Sequence, residues 1–187
     1  LRYVSQPGML GDPDLILLPG TKNTMDDCQW LRESGMEALI LRQAEKKTPI
    51  IGICGGFQLL GEQMEDPHNV EHGGTMRGMG LLNTRTVFSE AKTRTQIRGV
   101  MEKGVGLWSN WQGKEVTGYE IHMGRTKSRE KEQPLCLLNA GESANGREAR
   151  GIPCGWNRKN RYGSYVHGVF DAPGICETIA TALAARK

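Results

Sequence analysis

No two cysteines in this 187-residue chain fall into a CxxC spacing; the five, Cys28, Cys54, Cys136, Cys154 and Cys176, are odd in number and scattered. That argues against a disulfide framework and against a zinc site, so no metal is expected, and the default compartment is the cytoplasm, where thiols stay reduced. Also missing is any apolar run near the roughly 20 residues a membrane-spanning helix needs, or a charged-then-apolar leader. Neither sign of charge dominates: 24 Lys plus Arg face 21 Asp plus Glu, interspersed, for a net charge of +3. Such a surface is solvated and is no footprint for nucleic acid. Repeats and low-complexity tracts are lacking too. What remains is one α/β unit, long enough for a core and too short for two independent domains. The chain opens on Leu in "LRYVSQPGML", which reads as strand and loop from mid-protein, so a piece of a longer polypeptide is expected.

The residues that are present alternate between strand and helix. "DPDLILLPGTKNT" holds an apolar run at 15–18 closed by Pro19-Gly20, which suits a strand buried on both faces. Over 25–47 the apolar positions Leu31, Met36, Leu39, Ile40 and Ala44 recur at mostly three and four, predicting a helix. Pro49 starts the strand "IIGI", which runs into Cys54, and 57–64 reads as a second helix. Strand, helix, strand, helix with brief links is the pattern of a doubly wound sheet. "MEDPHNVEHGGTMRGMG" is Gly-rich and polar, the composition of a surface loop. From 81 to about 128 alternation favours strands, with turns near Lys103-Gly104 and Gln112-Gly113. "RTKSREKEQ" reads as an exposed hairpin or loop and "NAGESANGREARG" as another loop; Met76, Met79, Trp108 and Trp111 read as packing or loop residues. "YGSYVHGVFD" predicts a strand leading to a turn at Asp171, and 173–187 a closing helix with Pro in its first turn.

The stretch with most chemistry is "TPIIGICGGFQLLG", where Cys54 stands at the seam between strand and helix. In a parallel sheet, ligands gather at the carboxyl ends of strands. A sharp turn there exposes its apex side chain, and small neighbours, here Gly52, Gly55 and Gly56, let other chain pass close by. The N–H groups and dipole of the following helix favour thiolate over thiol. A thiolate nucleophile needs a proton relay, for which histidine is the usual side chain. His167 ends an apolar strand in "SYVHGVF" and should reach the same rim; His68 and His72 lie in the Gly-rich loop and His122 in a strand pattern. The N–H of Gly55 and that of Gly20 or Thr21 are candidate oxyanion donors, each typically worth roughly 3–4 kcal/mol of barrier.

Each feature has a plainer reading. A cysteine in such a turn is often a buried small hydrophobe, His167 alone a structural histidine, and Pro19-Gly20 only a turn. A phosphate cradle is a further option for a Gly-rich turn, but GK[ST] and a clean GxGxxG are both lacking.

In combination, "GICGGFQLLG" resembles the nucleophile elbow of class I glutamine amidotransferase domains and "SYVHGVF" their histidine motif. More narrowly, "DPDLILLPGTKNT", "GICGGFQLLG", "GMGLL", "GYEIHMGRT" and "YVHGVFD" follow the order and style of the C-terminal domain of the cobyric acid synthase family, over roughly residues 12–171. The resemblance implies an α/β fold with a doubly wound, mixed, mainly parallel sheet, flanking helices and flavodoxin-like layering. Catalysis by Cys54 and His167 is implied, with Gly20 and Gly55 as the oxyanion hole, and Gln58, Tyr119 and Glu120 are candidates for holding glutamine, though Tyr119 could equally be sheet packing. It also implies no cofactor in this domain, ammonia passed to an N-terminal synthetase domain that uses ATP and magnesium, and a corrinoid substrate reached through that domain. Many class I domains carry a glutamate two residues after the histidine; Val169 stands there, which suits the narrower group and leaves open what orients His167, with Asp171 and Glu120 as available acids. Other expectations consistent with the elbow are a cobyrinate a,c-diamide synthase-type domain, a γ-glutamyl cysteine hydrolase of another kind, and a non-catalytic domain of the same shape.

Overall fold

The computed structural model describes residues 1–104, 106–129, 133–138 and 151–186. One end of its sheet is a short parallel ladder. Strand β1 (Ile16–Leu18) pairs with β2 (Ile50–Ile53) in the register Ile16 to Ile50. On its other side β2 pairs in parallel with β9 (Arg161–Ser164), setting Ile53 beside Ser164. All four residues of β2 are buried, which is why "IIGI" shows no polar alternation.

Helical spacing over 25–47 is realised as two helices rather than one. Helix α1 (Thr24–Glu33) starts at Asn23, whose side chain accepts from the Asp26 N–H, and α2 (Met36–Glu45) restarts after Gly35. Gly35 sits at φ 79°, a left-handed conformation that glycine adopts cheaply and that interrupts the helix. The second predicted helix is shorter and displaced: α3 spans Gly55–Leu60, and Met64 belongs to strand β3 (Gln63–Asp66). At Gly61 a side chain would press on the Thr84 carbonyl at 2.9 Å, so the chain turns out of the helix where it passes the neighbouring strand.

The segment read as a surface loop is therefore partly sheet. β3 pairs antiparallel with β4 (Gly74–Arg77) and parallel with β5 (Thr84–Met101). A long ribbon follows: β5 pairs antiparallel with β6 (Glu115–Ser128), with a register shift between Phe88 and Thr93. Between them a 3₁₀ turn (Gly106–Trp111) buries Trp108 and Trp111 edge-on to each other, with Trp108 also edge-on to Tyr162. β7 (Gln133–Leu138) and β8 (Ile152–Arg158) form another antiparallel pair joining β5 to β9, and α4 (Ile175–Ala184) closes the chain. The "NAGESANGREARG" reading, Gly151 apart, lies outside the described residues, as do three residues of "RTKSREKEQ".

The sheet order is β1-β2-β9-β8-β7-β5-β3-β4, with β6 on β5. Mixed sheet and flanking helices match the expected α/β class. The balance differs from a mainly parallel sheet: parallel pairs are β1–β2, β2–β9 and β3–β5, and the other pairs are antiparallel. The reason is the connections. A parallel neighbour needs a long crossover, whereas tight turns such as that between β8 and β9 can only reverse the chain. No helix among the described residues is long and apolar enough to cross a membrane.

Candidate active site

Cys54 stands between β2 and α3 with φ 53° and ψ −110°, a conformation costly for any L-residue. The elbow is held from all sides. The Cys54 N–H donates to the Ser164 carbonyl at 2.8 Å, and the Gly56 N–H to that of Pro19 at 3.0 Å. A side chain on Gly52 would run into the backbone of Gly56 and Phe57, one on Gly55 into Thr21, and one on Gly56 into the backbone of Leu18 and Pro19. The three glycines thus allow the elbow to lie directly on the loop that leaves β1, as their pattern in the sequence predicts.

His167 reaches the same place by a different route. The expected strand ends at Ser164, and His167 is held instead by an isolated antiparallel bridge to Tyr119 of β6. Its N–H donates to the Tyr119 carbonyl at 2.8 Å, and the Tyr119 N–H donates back at 3.2 Å. The two rings lie stacked, centroids 5.0 Å apart and planes 3° from parallel. The point where a Gly20 Cβ would sit is 3.4 Å from His167 Cε1 and 3.5 Å from Cys54 Cβ, so Gly20, the thiol and the imidazole converge.

The electrostatics set the resting protonation states. Burial pushes the Cys54 thiol up; the Gly55 N–H pulls it down, but the charges of Glu71 and Glu120 push it further up. The net upward push runs against the thiolate preference expected from the start of the helix. Burial also lowers the proton affinity of His167, opposed by the Glu120 charge and the Ile121 backbone. Both shifts favour the uncharged forms, thiol and neutral imidazole. Cys54 Sγ donates to the Ile121 carbonyl at 3.3 Å, while His167 Nε2 is buried with no hydrogen-bond partner.

The remaining candidates take distinct places. Gln58 is buried, its amide accepting from Thr24 Oγ1 at 2.7 Å and donating to the Tyr165 hydroxyl at 3.1 Å. Tyr165 in turn contacts Thr126 Oγ1 at 2.5 Å, so Gln58 belongs to a buried polar network under the elbow. Tyr119 is 46 % exposed and lines an open groove of about 760 Å³ with Ile121, Arg94 and Gln96. Glu120 accepts from the Cys154 thiol at 3.1 Å. Asp171 lies beside Gly168, and its backbone N–H donates to the Gly168 carbonyl. His122 stacks on Tyr165, and His72 pairs with Asp26. Sequence reasoning missed Glu71, whose carboxylate comes back from the Gly-rich loop to the start of α1; its motif carries no signal distinguishing it from surface acids. Among the described residues no three His, Cys, Asp or Glu gather as metal ligands.

The family profile described as the CobB/CobQ-like glutamine amidotransferase domain matches residues 1–175. Cobyric acid synthase of Ruminiclostridium cellulolyticum is 48 % identical over 187 residues, which are 100 % of this chain and 36 % of that protein. Its namesake from Klebsiella pneumoniae is 40 % identical over 190 residues, again 100 % of this chain and 36 % of the relative. The chain thus spans about 36 % of the length of these curated relatives. Among solved structures, PurLQS from Thermotoga maritima superposes with a TM-score of 0.70 at 21 % identity, covering 97 % of this chain and 85 % of that one. A structure described as a glutamine amidotransferase gives 0.65 at 16 %, covering 98 % and 86 %. At these identities the structural likeness speaks for the fold alone.

Proposed function

Since the chain belongs to the CobB/CobQ-like glutamine amidotransferase domain family, we propose that it is the glutamine-hydrolysing part of a cobyric acid synthase and that Cys54 and His167 carry the chemistry. In this reading the ammonia serves an ATP- and magnesium-dependent synthetase domain that amidates carboxylates of adenosylcobyrinic acid a,c-diamide, and the protein works in the cytoplasm. The names of the relatives support that assignment. The observation that carries the chemistry is the meeting of Gly20, Cys54 and His167 at one point, with the Gly55 N–H directed at the sulfur.

The steps follow from the resting state. The side-chain amide of glutamine enters with its carbonyl oxygen toward the N–H groups of Gly55 and of Gly20 or Thr21. The Cys54 thiol leaves the Ile121 carbonyl and gives its proton to the free Nε2 of His167 as Sγ bonds to the amide carbon. The oxyanion so formed is held by the backbone donors. When it collapses, the C–N bond breaks and the imidazolium gives its proton to the departing nitrogen, releasing ammonia and leaving a γ-glutamyl thioester. Water then attacks the thioester, His167 takes its proton, and glutamate leaves as the thiol is restored. Starting from a neutral pair, the site makes charge only when an acceptor for the proton and donors for the oxyanion are both in place.

The test is ammonia release from glutamine by the wild type and by Cys54→Ala, each with the synthetase half supplied. The variant is expected to stay folded and lose release entirely; retained release would refute the reading. A marked preference of the wild type for γ-glutamyl peptides over glutamine would count against the amidotransferase assignment while sparing the nucleophile.

A further inference from the structure

The segment between β3 and β4 is built around one buried anion. Asp66, 1 % exposed, accepts from the N–H groups of Val70 at 2.8 Å, Glu71 at 2.7 Å and Gly73 at 2.9 Å. This closed turn aims the Glu71 side chain back across the molecule. Its Oε2 accepts from the Met25 N–H at 3.0 Å, and its Oε1 lies 3.4 Å from Thr24 Oγ1, whose proton points to the closer Gln58 oxygen at 2.7 Å; both contacts are at the first two residues of α1. Beside it His72 Nδ1 lies 2.8 Å from Asp26 Oδ1, a second tie to the same helical turn.

The contacts continue inward. The Thr21 hydroxyl donates to Thr24 Oγ1 at 3.2 Å, and Gly55 packs directly on Thr21. The helix has its own cap in Asn23, which takes the Asp26 N–H, so a carboxylate brought in from a distant turn is not needed to start α1. We propose that Glu71 is a positioning residue for the oxyanion-binding loop: by gripping Thr24 and Met25 it holds Gly20 and Thr21 against the elbow at the spacing a tetrahedral adduct requires. This rests on the glutaminase reading above. Displacement of such a donor by an ångström is enough to cost about 100-fold in rate, so a tie of this kind matters even without touching substrate.

The experiment compares Glu71→Ala, which removes the side chain that reaches Met25, with wild type in the full chain, using two cysteine reagents. A glutamine-like chloroketone must place its carbonyl in the oxyanion hole; iodoacetamide alkylates by displacement and needs none. Glu71→Ala is expected to lower kcat for ammonia release and the chloroketone rate together by about 10- to 100-fold with KM held within about twofold. Iodoacetamide labelling should be unchanged or faster, because removing the Glu71 charge eases ionisation of Cys54. Chloroketone labelling at the wild-type rate would overturn the inference and leave the glutaminase reading intact, as would an equal fall with both reagents, which signals a general disturbance of Cys54. A wild type that takes no chloroketone at all would overturn the glutaminase reading itself. Should Glu71→Ala fail to fold, Glu71→Asp, which keeps a carboxylate but draws it back by one methylene from Met25, is read by the same comparison.

Discussion

Replacing Gly20 by alanine separates folding from chemistry at a single methyl group. The new Cβ would stand 3.4 Å from His167 Cε1 and 3.5 Å from Cys54 Cβ, ordinary van der Waals distances, and Gly20 is not among the residues with positive φ. Folding therefore tolerates the change; a glycine-to-alanine substitution in compatible backbone is worth about 0.4–1 kcal/mol in favour of the folded state. In the proposed mechanism the methyl nevertheless takes up space between Cys54 and His167 that the tetrahedral adduct would fill, and it crowds the loop donors. Losing one such donor typically costs about 10²- to 10³-fold in kcat. The expected result is an unchanged or slightly raised thermal midpoint with glutamine hydrolysis down by about that factor, read by ammonia release and calorimetry on one preparation. Gly56→Ala is the contrast: its Cβ would lie 2.6 Å from Leu18 C and 2.8 Å from Pro19 O, so the elbow cannot keep its place and stability falls with activity. A Gly20→Ala chain that hydrolyses glutamine within about threefold of wild type would refute the claim that these three residues frame the reacting atom.

Other tests address the charges and the packing. The proton affinity of His167 is lowered by burial and supported by the Glu120 charge; kcat/KM should therefore rise with pH through a value below that of a free histidine. In Glu120→Gln that limb should move to still lower pH, because the neutral amide no longer favours the imidazolium; a limb that does not move would show that Glu120 is not the charge His167 senses. Gly163 has no room for a side chain against the ring of Phe57, itself fully buried and edge-on to Tyr165 at 5.1 Å. Gly163→Ala should cost about 1–3 kcal/mol in urea unfolding, with an unchanged midpoint arguing against this packing.

Several features were legible in the residue order because their causes are local. The apolar run of β2, the thiol after it and the glycines beside it describe a strand, a sharp turn and a helix start within a few residues. Gly35 shows where local reading stopped short: helical spacing continues across it, and only the left-handed backbone reveals the break. The strand state of Met64 likewise comes from its pairing with Thr86 and Met76, not from its neighbours in sequence. The surface loop expected after it failed for the same reason, since β4 exists by pairing with β3.

The sequence by itself determined a cysteine at a strand-to-helix turn, the small residues beside it and the α/β class, all of which follow from side-chain chemistry and short-range periodicity. Tertiary structure alone decided that His167 comes to Cys54 through its bridge with Tyr119, that burial pushes the Cys54 thiol up, and that Glu71 reaches the start of α1. Each of these depends on which distant backbone groups pair and how much water they exclude, and no pattern of nearby residues carries that information.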